Sequence, residues 1–251
     1  MIITTEAIIL LSRKYGDTSK LVTLFTKDYG RQSVIAKGAR NSKNKFGSSL
    51  DPLSYCKVSF YKKPNTSLHL LSNSELIKPL RKIHNSYIHL SFGLLILESI
   101  LQTMEEDNPN EEIFQYLLKS VELLNESECN PVLLFLKFQL ILAKDLGFEI
   151  DFTENFDNII TNNQFKTARL SIPEGKIVNT QDYIDNNTII FKNELICLLK
   201  QLSETSLENI REYEINKIEF EQIHNFFIKY FSYHLDKKIY YRSQSLINLI
   251  N

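Results

Sequence analysis

The spacing of apolar residues changes period once along this chain, near residue 86, and that change limits what each part can fold into. Before it, apolar residues come in short runs cut by turns. Residues 6–11, 20–26, 31–36, 54–61 and 68–71 read as five short strands. Gly16-Asp17, Asp28-Tyr29-Gly30 and Lys62-Lys63-Pro64-Asn65 read as the turns between them. Residues 54–61 alternate cleanly, with Cys56, Val58 and Phe60 on one side and Tyr55, Lys57, Ser59 and Tyr61 on the other.

From residue 86 the period is helical. Tyr87, Leu90, Leu94, Leu97, Leu101 and Met104 form one stripe at spacings of three and four, and Phe92, Leu95 and Ile96 make its flanks apolar too. A second helix is expected over 111–124. A third opens at Asn130-Pro131, a cap followed by a first-turn proline, and closes at Gly147. Two more are expected near 192–202 and 217–236, the last with Phe220, Ile223, His224, Phe227 and Phe231 turned into a core. Between 148 and 187 the helical period is lost, which suits a hairpin or a small irregular insert. No apolar run reaches the ~20 residues a bilayer crossing needs. The fold expected is therefore α+β: a five-stranded barrel of the oligonucleotide-binding (OB) type at 1–80, then a mainly helical domain at 81–251 with a small insert at about 148–190.

Charge divides at the same place. Residues 1–84 hold 15 of the 29 Lys and Arg but only 5 of the 30 Asp and Glu, a formal +10; the remainder holds 14 and 25, a formal −11. A basic module on an acidic body points to a polyanion surface, most often nucleic acid. The densest part is 36–47 (Ala-Lys-Gly-Ala-Arg-Asn-Ser-Lys-Asn-Lys-Phe-Gly), four cations within nine residues among small side chains that let a phosphate approach the backbone. Lys20, Arg31, Lys37, Arg40, Lys43, Lys45 and Lys57 are the candidate contacts. Tyr15, Tyr29, Phe46, Tyr55 and Tyr61 could add base stacking. With no base-reading helix in the basic part, binding should depend weakly on sequence.

Reactive chemistry leaves no trace. There is no phosphate-binding loop, no dinucleotide fingerprint and no H-E-x-x-H or G-x-S-x-G. The five histidines never pair at i, i+4, and the acids at 105–107 and 208–221 read as solvated helix ends. Cys56, Cys129 and Cys197 lie far apart without a C-x-x-C, and residues 1–6 lack the features of a secretory leader. A cytoplasmic protein with reduced thiols, without cofactor or metal, is expected.

Several short segments, taken in order, resemble the RecO recombination mediators. They are Ala7-Ile-Ile-Leu-Leu-Ser12, Tyr15-Gly-Asp17, Lys20-Leu-Val-Thr-Leu-Phe-Thr26, Tyr29-Gly-Arg31, Ala36-Lys-Gly-Ala-Arg40 and Leu50-Asp-Pro52, then Tyr230, His234-Leu235 and Arg242-Ser243 near the end. The resemblance implies a non-catalytic protein that binds single- and double-stranded DNA and anneals complementary strands. It implies action with RecR to help RecA displace single-stranded-DNA-binding protein in the RecF pathway. It carries DNA contact onto Arg31, Lys37 and Arg40, while Lys43 and Lys45 rest on charge alone. Many relatives hold structural zinc through two C-x-x-C pairs in the insert; here 148–187 has neither Cys nor His, and Asp151, Glu154 and Asp157 are poor substitutes. Packing by Phe148, Phe152, Phe156 and Phe165 is expected there instead. For a protein partner, a basic-apolar patch is expected from Lys229, Lys237, Lys238 and Arg242 beside Phe226, Tyr230 and Tyr233. The competing readings are an RNA-binding or ribosome-associated adaptor built on the same barrel, and an enzyme using carboxylates of 208–221.

Overall fold

In the computed structural model, β1 (Ile2–Tyr15), β2 (Ser19–Thr26), β3 (Gly30–Ala36), β4 (Tyr55–Tyr61) and β5 (Leu68–Lys78) close into a barrel in the order β1-β2-β3-β5-β4. The structure describes every residue except 65, 127–128, 154–155, 157–165, 179–186, 211, 244 and 246–251. All strand pairs are antiparallel apart from β3 with β5, the parallel closure of an OB barrel.

Two strands are much longer than the sequence suggests. β1 has 14 residues because its first half pairs with β4 and its second half with β2, the register shifting between Ile9 and Leu11. β5 has 11, continuing through the polar Ser72–Glu75 stretch because β4 supplies its hydrogen bonds. The interior holds Ile3, Ala7, Ile9, Val22, Leu24, Val34, Cys56, Val58, Phe60 and Leu71, and Ala39, Phe46 and Leu50 from the β3–β4 connection seal one end.

The chain forms two compact units. The first comprises Met1–Cys129 with the short segment that begins at Tyr241, of which Tyr241–Ser243 and Ser245 are described, and so adds α1 (Tyr87–Thr103) and α2 (Glu111–Glu126) to the barrel. Ser86 caps α1, and Asn110 Oδ1 accepts from Ile113 N at 2.9 Å to start α2. Phe114 of α2 meets Phe25 of β2 with ring centroids 6.3 Å apart. Ser243 donates to the Glu98 carboxylate through its backbone N (3.2 Å) and its Oγ (3.0 Å), tying the returning chain to α1.

The second unit comprises Asn130–Tyr240. Its central helix, α3 (Pro131–Asp145), is buried at every position from Pro131 to Ala143. Asn130 caps its start, and Gly147 (φ +86°) ends it as expected, with Gly147 N bonded to Lys144 O and Phe148 N to Ala143 O. Helices α4 (Asn193–Glu204) and α5 (Lys217–His234) pack on α3. The insert is a three-stranded sheet in the order β7-β6-β8: β6 (Thr167–Ser171), β7 (Ile177–Val178) and β8 (Thr188–Lys192). β8 is a strand the sequence reading did not give, and Lys192 closes it rather than opening α4.

Aromatic packing holds the insert. The Phe148 ring lies on His234 (4.8 Å, stacked) and meets Tyr230 and Phe231, each at 5.7 Å. Phe152 is buried and the Phe156 ring faces Lys200 Nζ at 5.2 Å, whereas Phe165, Glu154 and Asp157 lie outside the described residues. Tyr230 OH donates to Phe148 O (2.9 Å) and His234 Nε2 lies 2.9 Å from Ile172 O. The Tyr230–His234 motif thus clamps the last helix to the insert's backbone.

Candidate nucleic-acid interface

One end of the barrel gathers most of the candidate cations. Antiparallel pairing sets Lys14 opposite Lys20 and Tyr15 opposite Ser19, and β2 with β3 sets Lys20 opposite Ala36. The chain leaving β3 therefore begins beside the β1–β2 tip. It then turns at Gly38 (φ +70°), where a side-chain-free residue is needed.

Arg40 fastens that turn: its backbone N donates to Thr18 O (2.9 Å) and its guanidinium to Gly16 O (3.0 Å) and Asp17 O (2.7 Å). Farther on, Phe46 and Ala39 are anchored in the barrel core, and Asn44 Oδ1 accepts from Phe46 N (3.0 Å) and Gly47 N (2.9 Å). Lys45 reaches across to Ser72 O on β5 and sits over the Phe46 ring at 5.2 Å. The result is a fixed platform. Arg13, Lys14, Lys37 and Lys43 stand exposed on it, with Tyr15 at 46% exposure beside them. Lys20 is half-buried and lies 3.4 Å from Asp51.

Arg13 and Lys14 complete the cluster although sequence reasoning did not single them out. Their charges are visible in the sequence, but only the β1–β2 register puts them beside 37–45.

Two other candidates lie elsewhere. Lys57, mid-strand on β4, is flanked by Glu6 of β1 and Glu75 of β5, directly opposite it on either side. Arg31 starts β3 at the far end of the barrel, where its guanidinium is 4.0 Å from Glu106. That far end is acidic on its outside: Lys27 lies 3.2 Å from Glu111, and Lys62 pairs with Asp107. The Lys62 ammonium, helped by a hydrogen bond from Gln32, holds the Asp107 carboxyl below the usual carboxylate range.

The stacking set needs correction. Phe46 is core, only 4% exposed. Tyr55 points outward from β4 as expected, but it is covered and its hydroxyl donates to Glu6 at 2.6 Å; burial, then that carboxylate, pushes its phenol far up. Tyr29 packs against the core beneath Lys62 Nζ. Tyr15 and Tyr61 are exposed, at opposite ends of β1. Tyr15 is thus the exposed aromatic of the expected set at the cationic end.

The expected partner patch is not apolar. Phe226 and Tyr230 are buried in the second unit's core, leaving Tyr233 exposed beside Lys229 on α5. Lys237 and Lys238 are exposed after that helix, and Arg242 is exposed in the first unit.

Among the described residues, no three His, Cys, Asp or Glu side chains converge on one point, and no helix is long and apolar enough to cross a membrane. Burial pushes the His224 imidazole down to about 4, among Phe135 and Phe220. What the arrangement offers is a rigid cationic rim on a closed barrel, a surface that can neutralise phosphates without making or breaking bonds.

A closed barrel of this order, with cations gathered at the β1–β2 tip and the β3–β4 connection, defines an OB-type module with a basic rim. The family model for Recombination protein O, N terminal, matches residues 1–80, and that for Recombination protein O, C terminal, matches 84–242. The chain belongs to the RecO family of DNA repair proteins. Among its relatives, the DNA repair protein RecO of Chloroherpeton thalassium is 26% identical over 99% of this chain and 98% of that protein. That of Alkaliphilus metalliredigens is 26% identical over 94% and 95%. The RecO of Salinibacter ruber is 38% identical over 58% of this chain, a match spanning 56% of that protein.

Proposed function

We propose that this protein binds single- and double-stranded DNA on the cationic end of its barrel, anneals complementary strands, and with RecR promotes RecA loading onto DNA coated with single-stranded-DNA-binding protein. The observation that carries the reading is the convergence of Arg13, Lys14, Lys37, Arg40 and Lys43 with the exposed Tyr15 on one fixed rim. Family membership supports the pathway, and the rim supports the physical means. The barrel at 1–80 is the DNA module, and the helical part at 81–251 serves as the body for protein partners, working in the cytoplasm without cofactor, metal or catalytic step.

Sequence preference should be weak, because phosphates and stacked rings are common to every strand. The test is annealing of complementary oligonucleotides coated with single-strand-binding protein, comparing wild type with Lys37→Glu/Lys43→Glu. These two side chains are exposed, so reversing them spares the fold, unlike Arg40, which holds the loop. Loss of annealing with an unchanged melting curve is expected; equal activity removes the rim from the mechanism. Competition with RNA of matched sequence decides the class, since clear preference for RNA would replace this reading with an RNA-binding adaptor.

A further inference from the structure

The barrel carries two cationic ends, and only one is open. At the far end Lys27, Arg31 and Lys62 lie where β2, β3 and β4 begin or end, with the Tyr29 ring under the Lys62 ammonium. By charge and aromatic content this is the same kind of surface as the rim. It is covered by the connection between α1 and α2, residues 104–110, and the first turn of α2.

The cover is seated with unusual closeness. Arg31 and Glu106 form a parallel β-bridge, and Asp107 N donates to Arg31 O at 3.2 Å. Gln32 Nε2 donates to Asp107 Oδ1 at 3.1 Å. Asp107 itself takes a left-handed backbone (φ +57°) to make the turn. Gly30 is needed twice over: its φ is +65°, and a Cβ there would fall 2.1 Å from Asn108 O. The consequence is that three carboxylates, Glu106 and Asp107 in the connection and Glu111 in the first turn of α2, each meet one cation of the barrel. Each carboxylate thus gives its cation the kind of partner that a backbone phosphate also offers, an anionic oxygen.

We propose that the acidic strap of residues 106–111 stands in for backbone phosphates at the far end of the barrel, keeping Lys27, Arg31 and Lys62 from nucleic acid and confining strands to the rim. The inference rests on the nucleic-acid reading above and adds to it a second, masked contact surface with a built-in competitor. Opening the strap enlarges the footprint by up to three phosphates.

The test measures binding of a fluorescent oligothymidylate across a salt series. The variants are Glu111→Gln, which removes one exposed pair outside the bridge, and Glu106→Gln/Asp107→Asn/Glu111→Gln. A freed cation that takes a phosphate steepens log K against log salt by about 0.7 on a single strand, so the triple variant should be steeper by about 2. Over a fourfold change in salt this adds about 2.6-fold for the single variant and about 18-fold for the triple. Because each change also raises net charge, both variants are repeated with Lys27→Ala/Lys62→Ala added. Complete loss of the gain in Glu111→Gln, and its fall to the share of Arg31, about 0.7, in the triple variant, support the proposal; a gain that persists in full overturns it, as does an unchanged slope in Glu111→Gln, which holds even if the triple variant fails to fold. Binding by the unmodified protein that is lost in Lys37→Glu/Lys43→Glu upholds the rim whatever the strap variants do. Absence of binding by the unmodified protein removes both.

Discussion

Replacing Lys37 and Lys43 together by Gln should flatten the salt dependence of DNA binding by a calculable amount. Five cations on the rim are free of ion pairs among the described residues: Arg13, Lys14, Lys37, Arg40 and Lys43. If each neutralises one phosphate of a single strand, log K should fall with log salt at a slope of about −3.5, and the double variant at about −2.1. A fourfold rise in salt then weakens the wild type about 100-fold and the variant about 20-fold. Neither lysine side chain makes a hydrogen bond among the described residues, so stability should stay within about 0.5 kcal/mol. Fluorescence anisotropy of a labelled oligothymidylate at four or five salt concentrations gives the slope, and urea denaturation gives the stability. Lys57→Gln is the internal comparison: with Glu6 and Glu75 on either side, it should leave the slope near the wild-type value. Equal slopes for wild type and the loop variant, or a Lys57 effect as large as the loop's, would refute the assignment.

Tyr15→Ala should weaken single-strand binding by about 1–3 kcal/mol through lost stacking, while Tyr61→Ala, at the other end of β1, leaves it unchanged; anisotropy titration at fixed salt decides. Gly30→Ala should cost at least the ~1–2 kcal/mol of a left-handed backbone, and more from the collision with Asn108 O, read as a lowered urea midpoint; an unchanged midpoint contradicts the close approach. His224 stays neutral in the fold down to about pH 4, whereas an unfolded imidazole protonates near pH 6.5. Its contribution is therefore complete above pH 6.5 and fades as pH falls towards 4, by about 3 kcal/mol in all. Urea curves at pH 7 and 4.5 should show this fall diminished in His224→Phe, and an identical fall in both proteins rejects His224 as its source.

The strand-to-helix division was legible because period is a local property, and the start of α3 carried its cap in the sequence as Asn130-Pro131. What was hidden depended on partners distant in the chain. β1 looks finished at Leu11 because Ser12-Arg13-Lys14-Tyr15 carries no apolar alternation, yet β2 supplies its bonds. β8 passes for the approach to a helix because Thr188–Lys192 is short and runs directly into α4. Tyr55 lies on the expected face, yet it is buried and its hydroxyl is bonded to Glu6 on the neighbouring strand, 49 positions away in the chain. The same blindness affected charge. Composition gives the +10 of the first third, but Lys27, Arg31 and Lys62 are matched by acids some 45 to 84 positions further along the chain, and nothing local announces it.

That matching has an electrostatic logic that stability does not explain. Exposed ion pairs add little to stability, and the Lys27–Glu111 pair, with its carboxylate 67% exposed, belongs at the weak end. Their effect on the field is larger. β3 runs from Gly30 to Ala36, so its ends lie roughly 20 Å apart at about 3.3 Å per residue. The Debye length at physiological salt is about 8 Å, so charges at one end of the barrel are screened from the other by more than two such lengths. Carboxylates on the far end can therefore cancel its cations while leaving the attraction of the rim almost intact. A body of net negative charge could instead have weakened the whole basic module; placed as it is, its acidity within the first unit turns a uniformly basic barrel into one with a direction.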